Sequence, residues 1–225
     1  MRYWVVDSET TGVSAEDKAV EVGGFLCEGK TIIKHYESLV NPGIPIPCTA
    51  SAIHHITDED VRNAPSIEDA IAPFFDEEFD FVVAHNAAFD KRFMDFGNAP
   101  WACTFRLARR VIPDAPSHSN QALRYFLGLP APEHASVLLA HRALYDSEVT
   151  THLFHHILDL ATTDDPIEGM LKVSNNPQLL KTVAFGTHKG KEWKNVPRNY
   201  LDYILHKSSG WDDDILHTAR HYFNS

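Results

Sequence analysis

RYWVVDSETTG, residues 2–12, is apolar through Tyr3, Trp4, Val5 and Val6, then sets Asp7 and Glu9 two positions apart before turning off through Thr10, Thr11 and Gly12. The run reads as a β-strand entering a core. Side chains on a strand alternate with a period of two, so Asp7 and Glu9 share one face, with only Ser8 opposite. Two carboxylates held that close repel each other. A divalent cation between them would make the pattern favourable.

The rest of the chain bounds what such a strand can belong to. With 225 residues, 44% of them hydrophobic, it can bury one full core and has length left for a second element. Cys27, Cys48 and Cys103 are odd in number and unrelated in spacing, which argues against a disulfide framework or a zinc site and for a reducing compartment. The apolar run near Met1 is too short for a signal-peptide core, and no later run is long enough to span a bilayer. A cytoplasmic protein with no membrane partner is expected. The formal net charge of −11 argues against a polyanionic partner, but it is unevenly spread. Lys181 to Tyr200 holds four lysines, one arginine and one glutamate, or 5 − 1 = +4, which leaves −15 for the remainder. A local basic strip can hold nucleic acid locally, the more so where acids elsewhere are neutralised by metal.

Strands are expected over 2–7, 19–27 and 31–40, the last two joined by the hairpin signal EGK, with a fourth in FDFVVAHN (79–86). Helices are expected in TASAIHHIT (49–57), after the Thr57 cap with Asp60 three residues on, and after the Ser66 cap. Further helices fit AAFDKRFMDFG (87–97), TFRLARRVI (104–112), SNQALRYFLGL (119–129) and about 142–160. Early strands followed by alternating helix and strand describe an α/β sheet flanked by helices. TTDDPIEG (162–169) reads as a linker. This divides the chain into a first domain, 1–163, and a small basic and helical module, 164–225, with helices in RNYLDYILHK and DDDILHTARHYF.

Two more stretches place acids where chemistry could use them. In AHNAAFD (84–90) an apolar strand ends, Asn86 suits a turn or cap, and the next helical turn presents Phe89 and Asp90. In AHRALYDSE (140–148) His141 stands five residues before Asp146. Five residues of helix turn through about 140°, so the two converge only if His141 lies at or before the first turn. Each stretch alone has a bland reading as a capped helix or a surface pair. Together they supply Asp7, Glu9, Asp90 and Asp146 with one histidine, a hard-oxygen set suited to two Mg²⁺ or Mn²⁺ ions that also keep waters and phosphate oxygens. Such a pair stabilises the attacking and leaving oxygens of in-line displacement at phosphorus, and His141 is the natural base for the attacking water.

DSETTG, HNAAFD and HRALYD, in this order and at these separations, resemble the three motifs of the DnaQ-like DEDD 3′–5′ exonucleases of the histidine-bearing subclass. The likeness spans residues 1 to about 160, and FGTHKGK…VPRNYLDYIL resembles an extension found after the nuclease domain in one bacterial group. It implies a ribonuclease H-like fold, a mixed sheet flanked by helices with a small C-terminal extension. It also implies metal-dependent release of nucleoside 5′-monophosphates from 3′ ends of single-stranded or duplex DNA. Asp7, Glu9, Asp90 and Asp146 would then be metal ligands and His141 the general base. Thr10, Val13 (where the family often has leucine), His54, Asn86 and Phe89 would contact substrate. His55 departs from the usual glycine of the I-H-G-I-T segment, and Thr187 from a frequent lysine in the extension.

Lys189, Lys191 and Lys194 in THKGKEWK are candidate phosphate contacts, with a solvated turn as the alternative. Trp101, Tyr125, Phe126 and Trp193 could stack on bases, though most suit a core. Two rival functions share the motifs. One is an exoribonuclease trimming RNA, since the same metal site cleaves either phosphodiester. The other is a proofreading-type accessory subunit that docks on a protein partner such as a polymerase.

Overall fold

The computed structural model describes residues 1–135, 137, 139–161 and 166–225. The chain divides into two compact units, Met1–Ser174 and Asn175–Ser225.

The first unit is built on a sheet of order β3-β2-β1-β4-β5. β1 (Arg2–Thr10), β2 (Ala19–Glu28) and β3 (Thr31–Leu39) form an antiparallel meander, and β4 (Phe81–Ala84) and β5 (Trp101–Cys103) add in parallel on the other side of β1. Gly29, at φ +60° in the two-residue turn between β2 and β3, supplies the left-handed conformation that a tight hairpin requires. β1 runs three residues beyond the expected end at Asp7, so both acids lie within the strand. β5 was not expected; three residues with one tryptophan carry too little periodicity to register.

The alternation of β1 builds two cores. Tyr3 and Val5 pack with Phe25, Phe81, Leu144, Leu153 and Phe154 on one face of the sheet. Trp4 and Val6 pack with Val22, Phe74, Val82, Met94 and Trp101 on the other. Each such fully buried side chain contributes about 1.5–3 kcal/mol, which fixes the register and therefore the face on which Asp7 and Glu9 stand.

The helices of this unit are α1 (Cys48–His54), α2 (Asp58–Val61), α3 (Ile67–Ile71), α4 (Thr104–Val111), α5 (Asn120–Leu127), α6 (Ala143–Leu160) and α7 (Pro166–Asn175). Thr57 and Asp60 form a reciprocal capping box on α2, and Ser66 Oγ accepts from the Asp69 amide at α3. The expected helix over 87–97 is instead a run of turns with a single 3₁₀ turn, Asp90–Arg92. Asn86 there takes φ +70°, and its carbonyl accepts from the Phe89 amide at 2.8 Å, which closes a tight turn rather than starting a regular helix.

The boundary expected at 163/164 shifts to 174/175. Residues 162–165 of the expected linker lie outside the described residues, and α7, which follows, packs Met170 into the Tyr3–Phe154 core. Ser174 Oγ also accepts from the Cys103 amide on β5 at 2.8 Å.

The second unit, Asn175–Ser225, has its own core of Val183, Trp193, Leu201, Ile204, Ile215 and Ala219. It contains α8 (Arg198–His206) and α9 (Asp213–Phe223), the latter capped by Asp212 as the acids at its start predicted. Among the described residues no helix is long and apolar enough to cross a membrane.

Candidate active site

The site forms where β1 ends. Asp7 and Glu9 continue the face that Tyr3 and Val5 turn towards α6, while Ser8 points the opposite way and donates to Asp90 Oδ1 at 2.8 Å. Gly23 pairs with Asp7 on β2, and a Cβ there would lie 2.5 Å from the Leu144 amide nitrogen. The missing side chain lets the first turn of α6 come down over the two acids.

α6 starts at Ala143, with Arg142 extended at its N-cap and His141 at φ +64°. His141 therefore precedes the helix, which removes the 140° mismatch. The His141 amide donates to Asp146 Oδ2 at 2.7 Å, and donor atoms of Glu9, His141 and Asp146 lie within 4.8 Å of one another. Gln121 Nε2 donates to Asp146 Oδ1 at 2.7 Å and Asn120 Nδ2 to the Asp146 carbonyl at 2.9 Å, so α5 holds this acid from the other side.

The electrostatics show what the cluster lacks. Burial, then the neighbouring charges of Asp90, Glu9, Asp146 and Glu21, pushes the Asp7 carboxyl well above the usual range. Burial and the same neighbours lift Glu9 to about 8, and burial lifts Asp90 to about 7 against its hydrogen bond from Ser8. Asp146 is raised by burial despite its two donors. Four mutually repelling carboxyls near one imidazole have the donor chemistry of a divalent cation site, and such a cation would replace the protons.

The remaining candidates fall around this cluster. Thr10 is buried and donates to the Gly12 carbonyl. Val13 is 77% exposed, and its carbonyl accepts twice from Arg92, whose guanidinium lies over Phe89 and Phe93. Phe89 is half-buried and Asn86 exposed. His54 is buried, takes the Ile56 amide on Nδ1, and leaves Nε2 without a partner; burial lowers its pKa. His55 takes φ +62° as the C-cap of α1, the conformation a glycine there adopts without strain. His55, Asn86 and His141 are the non-glycine residues with positive φ among the described residues, and all three lie in the motif segments.

In the second unit Lys194 is ion-paired with Glu192 at 2.8 Å, whereas Lys189 and Lys191 have no acidic partner among the described residues. Of the aromatics considered for stacking, Trp101 and Trp193 are buried core, and Tyr125 and Phe126 are exposed on α5.

Sequence reasoning missed Glu21, Arg142 and Gln121. Glu21 is 2% exposed, faces Glu9 across the β1–β2 pair, and holds the Arg142 guanidinium. An acid in the middle of the apolar strand AVEVGGFLC was the available signal. Gln121 carried none.

A mixed five-stranded sheet with an acidic cluster and a histidine at the end of its central strand defines a class of nuclease. The exonuclease (RNase_T) family matches residues 4–154, and the chain belongs to it. Its fold is the ribonuclease H-like one. The likeness to individual proteins reaches further along the chain. It is 33% identical to exodeoxyribonuclease 10 of Escherichia coli (strain K12), covering 98% of both chains. A solved structure of exonuclease X in complex with 5′ overhanging duplex DNA matches with TM-score 0.69 at 34% identity, covering 77% of this chain and 99% of that one. A 3′-exonuclease that recognises the histone mRNA stem-loop shares the fold, with TM-score 0.58 at 13% identity over 70% of this chain. The chain is thus an exonuclease.

Proposed function

We propose that the chain is a 3′–5′ exodeoxyribonuclease releasing nucleoside 5′-monophosphates, with Asp7, Glu9, Asp90 and Asp146 as ligands of two Mg²⁺ or Mn²⁺ ions. The meeting of Glu9, Asp146 and His141 within 4.8 Å, with Asp7 and Asp90 close enough for their charges to act on the same cluster, carries the reading. Full-length similarity to a named exodeoxyribonuclease supports DNA over RNA as substrate. Similarity to a protein bound to 5′ overhanging duplex supports recessed 3′ ends as substrates beside single strands.

The ions, when bound, supply charge that stabilises the attacking and leaving oxygens at phosphorus. The protein's residues do the rest. The exposed ring of His141 accepts a proton from the attacking water as the water oxygen bonds to phosphorus. The P–O3′ bond breaks, leaving the phosphate on the released 5′-mononucleotide and, after protonation of the leaving oxygen, a new 3′-hydroxyl on the shortened strand. Gln121 and the His141 amide hold Asp146 in one orientation throughout. Thr10, Val13, His54, Asn86 and Phe89 seat the terminal nucleotide: Val13 offers an exposed apolar surface to a base, and the buried ring of His54 backs the Thr10 backbone. Lys189 and Lys191 provide phosphate contacts, a role that Lys194 shares only by leaving Glu192. So few cations favour distributive action. The free cysteines fit a cytoplasmic setting.

The test uses 5′-labelled single-stranded DNA with Mg²⁺, alongside EDTA and Asp7→Ala controls. A ladder shortening from the 3′ end, absent in both controls, supports the reading. Degradation of RNA alone would reassign the substrate, and no cleavage of either would favour an accessory subunit.

A further inference from the structure

Glu21 is a fifth carboxylate beside the four others, itself buried, and its surroundings set it apart from them. Both its oxygens are occupied. Arg142 Nε donates to Oε1 at 3.1 Å and to Oε2 at 3.0 Å, Arg142 Nη2 donates to Oε1, and the Ala143 amide donates to Oε2 at 2.8 Å. No lone pair aimed at the cluster is left over for a metal. Instead Glu21 caps the N-terminus of α6 from the neighbouring strand. Arg142, the N-cap residue, makes no side-chain cap of its own, so the orphan amide at the first helical position is met from β2.

The consequence concerns the two residues on either side of that anchor. His141 directly precedes Arg142, in a left-handed conformation that a non-glycine residue holds only when its surroundings impose it. Asp146 follows one turn into α6 and binds back to the His141 amide. We infer that the Glu21–Arg142 pair, together with the Glu21 cap on Ala143, positions His141 and Asp146 over Asp7 and Glu9. It is a positioning clamp that touches neither substrate nor metal. The pair also eases a like-charge conflict: Glu21 stands directly across from Glu9, and the guanidinium offsets part of the repulsion. The inference rests on the exonuclease reading for its activity readout and on the donor cluster alone for its binding readout.

The test compares Glu21→Gln and Arg142→Lys in the full-length protein. Glu21→Gln keeps an acceptor for Ala143 and loses the ion pair. Arg142→Lys keeps the charge and loses the two-pronged fork. Both are expected to lower kcat about 10–100-fold with KM for an oligonucleotide little changed, and to weaken Mn²⁺ binding, read by calorimetry, about tenfold or more. Loss in Arg142→Lys comparable to that in Glu21→Gln identifies geometry rather than charge as the cause. Unchanged kcat and unchanged Mn²⁺ affinity in Arg142→Lys would overturn the clamp, even if Tm fell, since the pair would then be a structural anchor only. Should Glu21→Gln fail to fold, Arg142→Lys, on a partly exposed side chain, decides alone. If the wild type cuts no nucleic acid, the exonuclease reading falls while Mn²⁺ affinity still decides whether the clamp orders the cluster.

Discussion

Asp146 and Glu148 lie two residues apart on α6, both buried and both given hydrogen-bond donors, but they face different company. Glu148 is fully enclosed and fully satisfied: Oε2 accepts from the amides of Glu133 and His134 at 3.1 and 3.0 Å, and Oε1 lies 2.7 Å from His134 Nδ1. No other carboxylate shares its pocket among the described contacts. Asp146 faces the opposite way, into a group of acids where Asp7 and Glu9 have no hydrogen-bond donor among the described residues. A buried charge provided with its own donors holds a fold together, whereas buried charges facing one another leave the fold waiting for a cation.

The sharpest break of this contrast is Asp7→Asn. It should lower kcat on the order of 10³-fold or more while raising the Tm of the metal-free protein, because it replaces a carboxyl that must take up a proton to sit in the acidic cluster. A Tm that falls would mean the cluster is stabilising as it stands. Glu148→Ala should do the reverse, costing about 2–4 kcal/mol by stranding two amides and His134, with turnover of the folded protein little affected. Chemical denaturation beside single-turnover kinetics checks both halves.

A gentler test is pH. Glu9 and Asp90 titrate higher in the folded protein, about 8 and 7, than when unfolded, so between about pH 4 and 8 the native state holds more protons than the unfolded chain. Their contribution to stability is then present at low pH and lost as pH rises through those values. The metal-free Tm should fall between pH 6 and 8.5, and saturating Mg²⁺ should flatten the slope. A metal-free profile that rises over this range would contradict the burial of the cluster. The smallest expected effect is His55→Gly, which relieves a left-handed residue in a motif segment and should add a few tenths to about 1 kcal/mol. No gain would mean that the imidazole repays the strain through contacts of its own.

Much of the site was legible because strand periodicity and short-range spacing are local. The alternation in RYWVVDSET put Asp7 and Glu9 on one face, and the Thr57, Ser66 and Asp212 caps marked helix starts where the chain makes them. The helix expected over 87–97 failed for an equally local reason, since Asn86 adopts the left-handed region and commits the backbone to turns. The division between the compact units falls at 174/175 rather than 163/164 because the polar run TTDDPIEG reads as a linker, whereas α7, which begins inside it, lends Met170 to the core of the first unit.

By itself, then, the sequence determined the strand that carries the acids, the residue types of the site and their order along the chain, because hydrophobic period, caps and motif spacing act within a few residues. Only the tertiary structure decided that Gly23 makes room for α6, that Gln121 of α5 holds Asp146, and that Glu21 answers Arg142 across 121 residues. Those are meetings between distant segments, set by packing and by the need to satisfy every buried charge, and no local pattern encodes them.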